Sequence, residues 1–280
     1  VLREVKNKDT ERLIDLINNV DTGYEIDDFD EIQKNAMKFI VFEEDKIKGF
    51  AYASVSIDDV QERLADMKIY VEPQSRRQGV GTALYHQLIK LIEKEKVDYL
   101  AAYIRVDKMN PESFCKKLGL DKWWGSSELY YRGPGFPDEG MTFVQYEDKY
   151  FDRYVKVVQE CYYPINKSND IKPYLATNES VKRYQLNNKK NVYLALDRDQ
   201  IIASVTTGNG TVENLMVSPA YQGKGFGKKA LQFSINKILS QGCEELRICY
   251  MEGNNHAENL YYSLGFKFLQ NTHVYRRFFS

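Results

Sequence analysis

Long apolar runs are missing from the 280 residues. No stretch approaches the length of a membrane span, and the amino-terminal residues lack the apolar core of a signal peptide, so neither a spanning segment nor an export signal is expected. Charge of one sign is missing as well. Lys and Arg number 39 against 40 Asp and Glu, a formal net charge of −1, which leaves no overall basic field for nucleic acid or anionic lipid. Histidine is scarce: His86, His256 and His273 are scattered. The four cysteines, Cys115, Cys161, Cys243 and Cys249, show no CxxC or paired-ligand spacing. A zinc site is therefore not expected, no metal is assigned, and the cysteines read as free thiols of a reducing compartment, the cytoplasm. What remains is ordinary for a soluble globular protein, 43% apolar and 28% charged. The length suits two domains, each large enough to bury a core.

Two stretches say nearly the same thing 146 positions apart. Val71-Glu72-Pro73 followed by Arg76-Arg77-Gln78-Gly79-Val80-Gly81 is answered by Val217-Ser218-Pro219 followed by Gln222-Gly223-Lys224-Gly225-Phe226-Gly227. The offset persists: Leu100 meets Leu246, and Leu118-Gly119-Leu120 meets Leu264-Gly265-Phe266. A fixed offset over such a length indicates a duplicated domain.

The repeated element carries its own chemistry. Leu215-Met216-Val217 is β-prone, and Pro219 ends the strand because it has no N–H to donate. After the glycines, Leu231, Ile235, Ile238 and Leu239 form a helical face, matched in the first copy by Leu84, Leu88, Leu91 and Ile92, one residue out of step. Glycines between strand and helix let backbone N–H groups converge, and the helix adds its free N–H groups and positive dipole end. Lys224, Lys228 and Lys229, or Arg76 and Arg77 in the first copy, supply countercharge, so a diphosphate is the expected guest. A Walker A loop fits worse, since Gln222 stands where its first glycine belongs and Lys229 where its hydroxyl belongs. A dinucleotide fingerprint fails on the third glycine after Gly225-Phe226-Gly227. A glycine turn that serves packing alone is the bland reading, and its recurrence in two copies argues against it.

The repeat extends beyond the loop. A strand at Leu2–Lys6 and a helix over Glu11–Asn19 open the first copy; Thr142–Tyr146 and a helix near Phe151–Cys161 open the second. Paired strands follow, Phe39–Phe42 with Phe50–Val55 and Val192–Leu196 with Ile201–Thr206. A further strand (Tyr99–Arg105; Glu245–Tyr250), a short helix and a last strand complete each unit. Gly133–Gly140, rich in turn residues, reads as a linker between domains 1–133 and 140–280. The fold class is α/β (α+β): two domains, each a mixed, mostly antiparallel twisted sheet with helices on both faces.

At this point the residues resemble a family. The pattern [QR]-x-x-G-x-G after V-x-P resembles the acetyl-CoA pyrophosphate signature of the GNAT N-acetyltransferase superfamily. Asn254 to Phe266 resembles that family's closing motif, N-x-x-A-x-x-L-Y-x-x-L-G-F, with every named position filled. The resemblance covers most of residues 190–280 clearly and most of 36–132 less clearly, and implies a tandem, two-domain member. It implies acetyl-CoA as co-substrate, contacted by Leu215, Met216, Val217, Gln222, Gly223, Lys224, Gly225, Phe226, Gly227, Lys228 and Asn254. It makes Tyr261 the hydroxyl donor to the departing thiolate and Asn254 the residue that holds the pantetheine arm. A second CoA site is implied at Val71, Arg76, Arg77, Gln78, Gly79, Val80 and Gly81.

Acetyl transfer requires a neutral amine, so a base must take an ammonium proton. Glu213, four residues before Val217, is the candidate; the alternative is a strand carboxylate facing solvent. A backbone N–H near Met216-Val217 would stabilise the carbonyl oxygen. At the same offset the first copy has Cys115 for Tyr261, Lys108 for Asn254, Pro111 for Ala257 and Met67 for Glu213. The first domain is thus expected to be structural or cofactor-retaining, with Cys115 a packed thiol rather than a donor or nucleophile. The favoured function is acetyl transfer to a primary amine of a small molecule in the second domain. A protein or peptide amine, a longer acyl group, and a non-enzymatic acyl-CoA sensor or scaffold stay open. The acidic run Glu25–Glu31 and Tyr162, Tyr163, Tyr174 and Tyr184 stand where an acceptor would bind, and each has an ordinary reading, as solvated loop or as packing. Trp123-Trp124 is expected to pack between sheet and domain interface. Nucleic-acid and membrane partners are not expected, and the oligomeric state is left open.

Overall fold

A computed structural model of the chain describes residues 1–20, 29–106, 110–138 and 140–279. Lys108 and most of the acidic run from Glu25 lie outside the described residues. In chain order the elements are β1 (Leu2–Glu4), α1 (Thr10–Val20), α2 (Phe29–Asn35), β2 (Lys38–Glu43), β3 (Ile47–Ile57), β4 (Arg63–Val71), α3 (Val80–Ile92), β5 (Tyr99–Arg105), α4 (Glu112–Lys117) and β6 (Asp121–Tyr131). There follow β7 (Val144–Gln145), α5 (Phe151–Ser168), α6 (Asn178–Tyr184), β8 (Val192–Asp197), β9 (Gln200–Gly208), β10 (Thr211–Val217), α7 (Phe226–Leu239), β11 (Leu246–Met251), α8 (Asn255–Ser263) and β12 (Lys267–Phe278). The helix expected to end near Cys161 runs on through Pro164 to Ser168.

The chain forms two compact units, Val1–Trp123 with Thr272–Ser280, and Trp124–Asn271. In the first, β1 to β5 are neighbours in chain order, antiparallel except for the parallel pair β4–β5. Thr272–Phe278 of β12 then pairs antiparallel with β5. In the second, β7, β8, β9 and β10 are successive antiparallel neighbours, β10 and β11 run parallel, and β6 pairs antiparallel with β11. Each unit therefore contains a strand from the other half of the sequence. The repeat and the compact units part company at β6 and β12.

Strand alternation sends side chains to two faces, and each face meets helices. Ala65 and Met67 of β4 join Leu84, Leu88 and Ile92 of α3 in one cluster, while Tyr70 of the same strand joins Leu13, Leu16 and Ile17 of α1 in another. In the second unit Val212 of β10 packs with Leu231, Ile235 and Ile238 of α7, and Met216 with Tyr154, Val155 and Val158 of α5. The α3 and α7 faces follow the 3.6-residue period that their sequences predict.

Gly133–Asp138 is tied to α7. Asn236 accepts from the Phe136 N–H at 2.7 Å and donates to its carbonyl at 2.8 Å, and the Tyr131 hydroxyl donates to the carbonyl of Pro134 at 2.7 Å. Trp123 meets Tyr99 edge-on, with the Arg276 guanidinium 4.8 Å from its ring centre, all within the first unit. Among the described residues no helix is long and apolar enough to cross a membrane.

Candidate active site

The two glycine loops have the same backbone. A short 3-10 turn, Pro73–Ser75 or Pro219–Tyr221, leads into two left-handed residues and then a helix. In the second unit those residues are Gly223 (φ 73°) and Gly225 (φ 83°); in the first they are Arg77 (φ 62°) and Gly79 (φ 86°). A left-handed L-residue costs roughly 1–2 kcal/mol, so the loop with two glycines is the less strained. The loop side chains turn back onto the turn. Gln222 donates to the Val217 carbonyl at 3.0 Å and Lys224 to the Ala220 carbonyl at 2.9 Å. Arg76 donates to the Val71 carbonyl and Gln78 to the Gln74 carbonyl in the same way. With carbonyls engaged from behind, the N–H groups at the start of α7 face outward without helical acceptors. No atom lies within 4 Å of where a side chain on Gly223 or Gly225 would project. This open cradle of N–H groups, with Lys224 and Lys228 beside it, fits a diphosphate.

β10 and β11 pair only at Thr211↔Arg247 and Val212↔Ile248, then part. Against β9 the register of β10 slips between Glu213 and Met216, a β-bulge with Asn214 left-handed at φ 48°. Bulges re-aim backbone and side chains where a regular ladder would bind them. Of Leu215, Met216 and Val217, expected near the acyl group, Leu215 lies in the bulge, and Met216 and Val217 pair again with Ser204 and Ala203 of β9. α5 borders it: the Tyr162 hydroxyl donates to Asn214 Oδ1 at 3.0 Å and the Cys161 thiol to the Val217 carbonyl at 3.4 Å.

Tyr261 is buried on α8, its ring edge-on to Tyr250 and tilted against Phe266. Burial, with a smaller effect of Cys249, pushes its phenol well above the ordinary value. It is therefore a protonated donor at neutral pH and unsuited to act as a base. Burial does the same to Tyr162, with Tyr261, Cys161 and Glu213 adding to the shift. Glu213 is exposed and accepts from the Thr211 hydroxyl at 3.2 Å. Asn254 caps α8, its Oδ1 accepting from the Ala257 N–H at 3.2 Å, which leaves its amide N–H groups as the part that can meet a ligand. Among the described residues no group of His, Cys, Asp or Glu could hold a metal.

The first unit has the loop, and its β4 also parts from β5 after Met67↔Ala102, but it has no bulge and no tyrosine at the Tyr261 position. β4 pairs with β3 from Gly49↔Val71 to Ile57↔Arg63 with no register slip. Because the bulge inserts a residue in the second unit alone, the 146 offset misplaces the partner of Glu213. Val212 stands opposite Ile248 and Met67 opposite Ala102, so Met67 answers Val212 and Lys68 answers Glu213. A cation occupies the position of the candidate base. Cys115 is fully buried, and burial pushes its thiol up to about 12. It packs among Leu84, Leu88 and Leu118 as a small apolar side chain.

Sequence reasoning did not single out Asn214 or Thr206, and left Tyr162 between stacking on an acceptor and ordinary packing. One signal was present: asparagine is depleted in strands, and Asn214 interrupts an otherwise β-prone run. Tyr163 and Tyr184 are exposed, and Tyr174 donates to Asp170.

The family profile described as the acetyltransferase (GNAT) family matches residues 8–120 and again 152–266. A [ribosomal protein bS18]-alanine N-acetyltransferase of Haemophilus ducreyi is 36% identical over 88 residues, 29% of this chain and 61% of that protein. A thialysine N-epsilon-acetyltransferase of Mus musculus is 37% identical over 65 residues, 23% of this chain and 38% of that protein. The chain thus aligns with less than two thirds of either relative. A solved GCN5-related N-acetyltransferase from Sphaerobacter thermophilus matches with a TM-score of 0.74 at 16% identity, covering 99% of this chain and 95% of that one, a likeness of fold.

Proposed function

This chain belongs to the acetyltransferase (GNAT) family in both of its halves, and on that premise we propose that its second repeat transfers acetyl from acetyl-CoA to a primary amine of a small molecule, while the first is structural or retains cofactor. The activity, its donor and acceptor and the division of labour are together the proposal. One observation carries it: among the described residues the second unit alone adds a bulged strand and Tyr261 to the open loop and the parting strand that both units share.

Acetyl-CoA, when bound, would supply the thioester whose acetyl group is transferred. Backbone N–H groups from Gly223 to Lys228 would hold the diphosphate, Lys224 and Lys228 would add charge, and the Asn254 amide would face the pantetheine arm. A backbone N–H in Leu215–Val217 would stabilise charge on the acetyl oxygen. Glu213 would take the ammonium proton, directly or through water, and Tyr261 would donate to the departing sulfur. Free thiols among the cysteines support a cytoplasmic enzyme.

A second reading rests on the first relative. Its acceptor is an alanine of a ribosomal protein, so a protein amine is the runner-up for this chain. Calorimetry with acetyl-CoA, followed by thiol release over a panel of small amines and short peptides, tests both. Turnover with small amines supports the first reading and turnover with peptides alone the second. Acetyl-CoA binding without turnover of either would point to a sensor.

A further inference from the structure

Two consecutive residues of α5 hold β10 on either side of its bulge. Tyr162 bonds Asn214 at 3.0 Å and Cys161 bonds the carbonyl of Val217 at 3.4 Å. Between these anchors lie Leu215 and Met216, and the pairing with β9 slips between Glu213 and Met216 before it resumes at Met216↔Ser204. Asn214 adopts a left-handed conformation that few residues other than glycine and asparagine take readily. Its amide nitrogen reaches Thr206 Oγ1 on β9 at 3.5 Å. The Tyr162 hydroxyl donates to the Asn214 side-chain oxygen, and the amide nitrogen is turned toward Thr206. The side chain is oriented from both ends, and with it the peptide units that follow.

Resting on the function proposed above, we propose that Tyr162 is a positioning residue, whose hydroxyl acts through Asn214 to fix the β10 bulge and so places Glu213 and the backbone N–H groups of Leu215–Val217 for acyl transfer. Nothing in this role requires Tyr162 to touch the acceptor, and it differs from packing because it depends on a single oxygen atom.

The test uses the full chain and two variants, Tyr162→Phe and Asn214→Gly. Glycine keeps the left-handed backbone accessible while removing the side chain that Tyr162 grips. Amide hydrogen exchange needs no ligand: Tyr162→Phe is expected to speed exchange in Glu213–Val217 about ten-fold and leave α7 unchanged. Acetyl-CoA affinity is expected to stay within about two-fold, since the loop after Val217 is untouched. Thiol release from acetyl-CoA, with or without an amine, should fall about ten-fold or more in each single variant. The double variant should be no worse than the worse single, as two parts of one device are not additive. Unchanged exchange at Glu213–Val217, unchanged turnover in Tyr162→Phe, or additive losses in the double variant would each overturn the proposal. Failure of the unaltered protein to bind acetyl-CoA would instead defeat the proposed function, and the exchange experiment would still decide whether Tyr162 fixes the bulge.

Discussion

Gln222 closes the end of β10 onto the glycine loop, its side-chain amide donating to the carbonyl of Val217. The loop's shape is thus held by its own side chains and by left-handed glycines, leaving N–H groups for a ligand. Gly225→Val places a β-branched residue at φ 83°, where open space does not help because the backbone itself resists. A loss of acetyl-CoA affinity of more than about ten-fold is expected by calorimetry, the equivalent of about 1.4 kcal/mol. Lys224→Ala removes only a charge whose amine sits on the Ala220 carbonyl, and should weaken binding by a smaller factor.

Tyr261→Phe removes the hydroxyl proposed as donor without changing the ring that packs against Tyr250 and Phe266. Turnover should drop on the order of 10²–10⁴-fold, the usual worth of a general acid, with acetyl-CoA affinity nearly unchanged. Cys115→Ser in the first unit should leave turnover intact and lower the melting temperature, because it puts a hydroxyl into an apolar cluster. Steady-state kinetics beside thermal melts separate the two. Loss in the Cys115 variant with full activity in the Tyr261 variant would reverse the assignment of the working copy.

Asp66 predicts a pH-dependent stability. Burial raises its carboxyl to about 6, against a smaller opposing pull from Lys68, and Oδ1 is buried without a partner. A raised carboxylate favours the fold fully below the unfolded value of 3.8, and that contribution is lost as the pH climbs through about 6. Asp66→Asn should therefore stabilise the protein at pH 7.5 and not at pH 3.5. A gain worth about 1 kcal/mol would appear as roughly 2–4 °C in Tm. Equal shifts at both pH values would show that charge at Asp66 is not the cause.

Val274 tests the exchanged strand. It is fully buried on β12 and stands opposite Tyr103 of β5. Val274→Asp should open the first unit although it lies near the other end of the sequence, because a carboxylate cannot be buried there unpaired. Hydrogen exchange should rise across Tyr99–Arg105 while Leu231, Ile235 and Ile238 of α7 keep their protection.

What the sequence made legible is what local chemistry dictates. Gly79, Gly223 and Gly225 mark left-handed backbone in the sequence, whereas Arg77 at the same conformation does not, and the faces of α3 and α7 follow from a 3.6-residue period. The strands around them were placed within a few residues because β-branched and aromatic runs have few other uses. The exchange of β6 and β12 was not legible, since a strand's pattern tells which face is apolar and not which neighbour accepts its hydrogen bonds. The bulge hid for a similar reason: one asparagine in a strand is a weak mark, and overlooking it shifted the counterpart of Glu213 from Lys68 to Met67. Tyr162 was one of 21 tyrosines, and only its distance to Asn214 sets it apart.

The exchange of strands also sets an order of events during synthesis. A domain ordinarily folds once its own stretch of chain has emerged from the ribosome, amino-terminal part first. Here β5 has no β12 beside it until Phe278 is out. That is roughly 150 residues after Trp123, on the order of ten seconds at ordinary elongation rates. Trp124–Asn271 holds every residue of its own unit earlier than that. The later half of the chain can therefore reach its native pairing first, and the nascent first half is the part that must be sheltered while it waits.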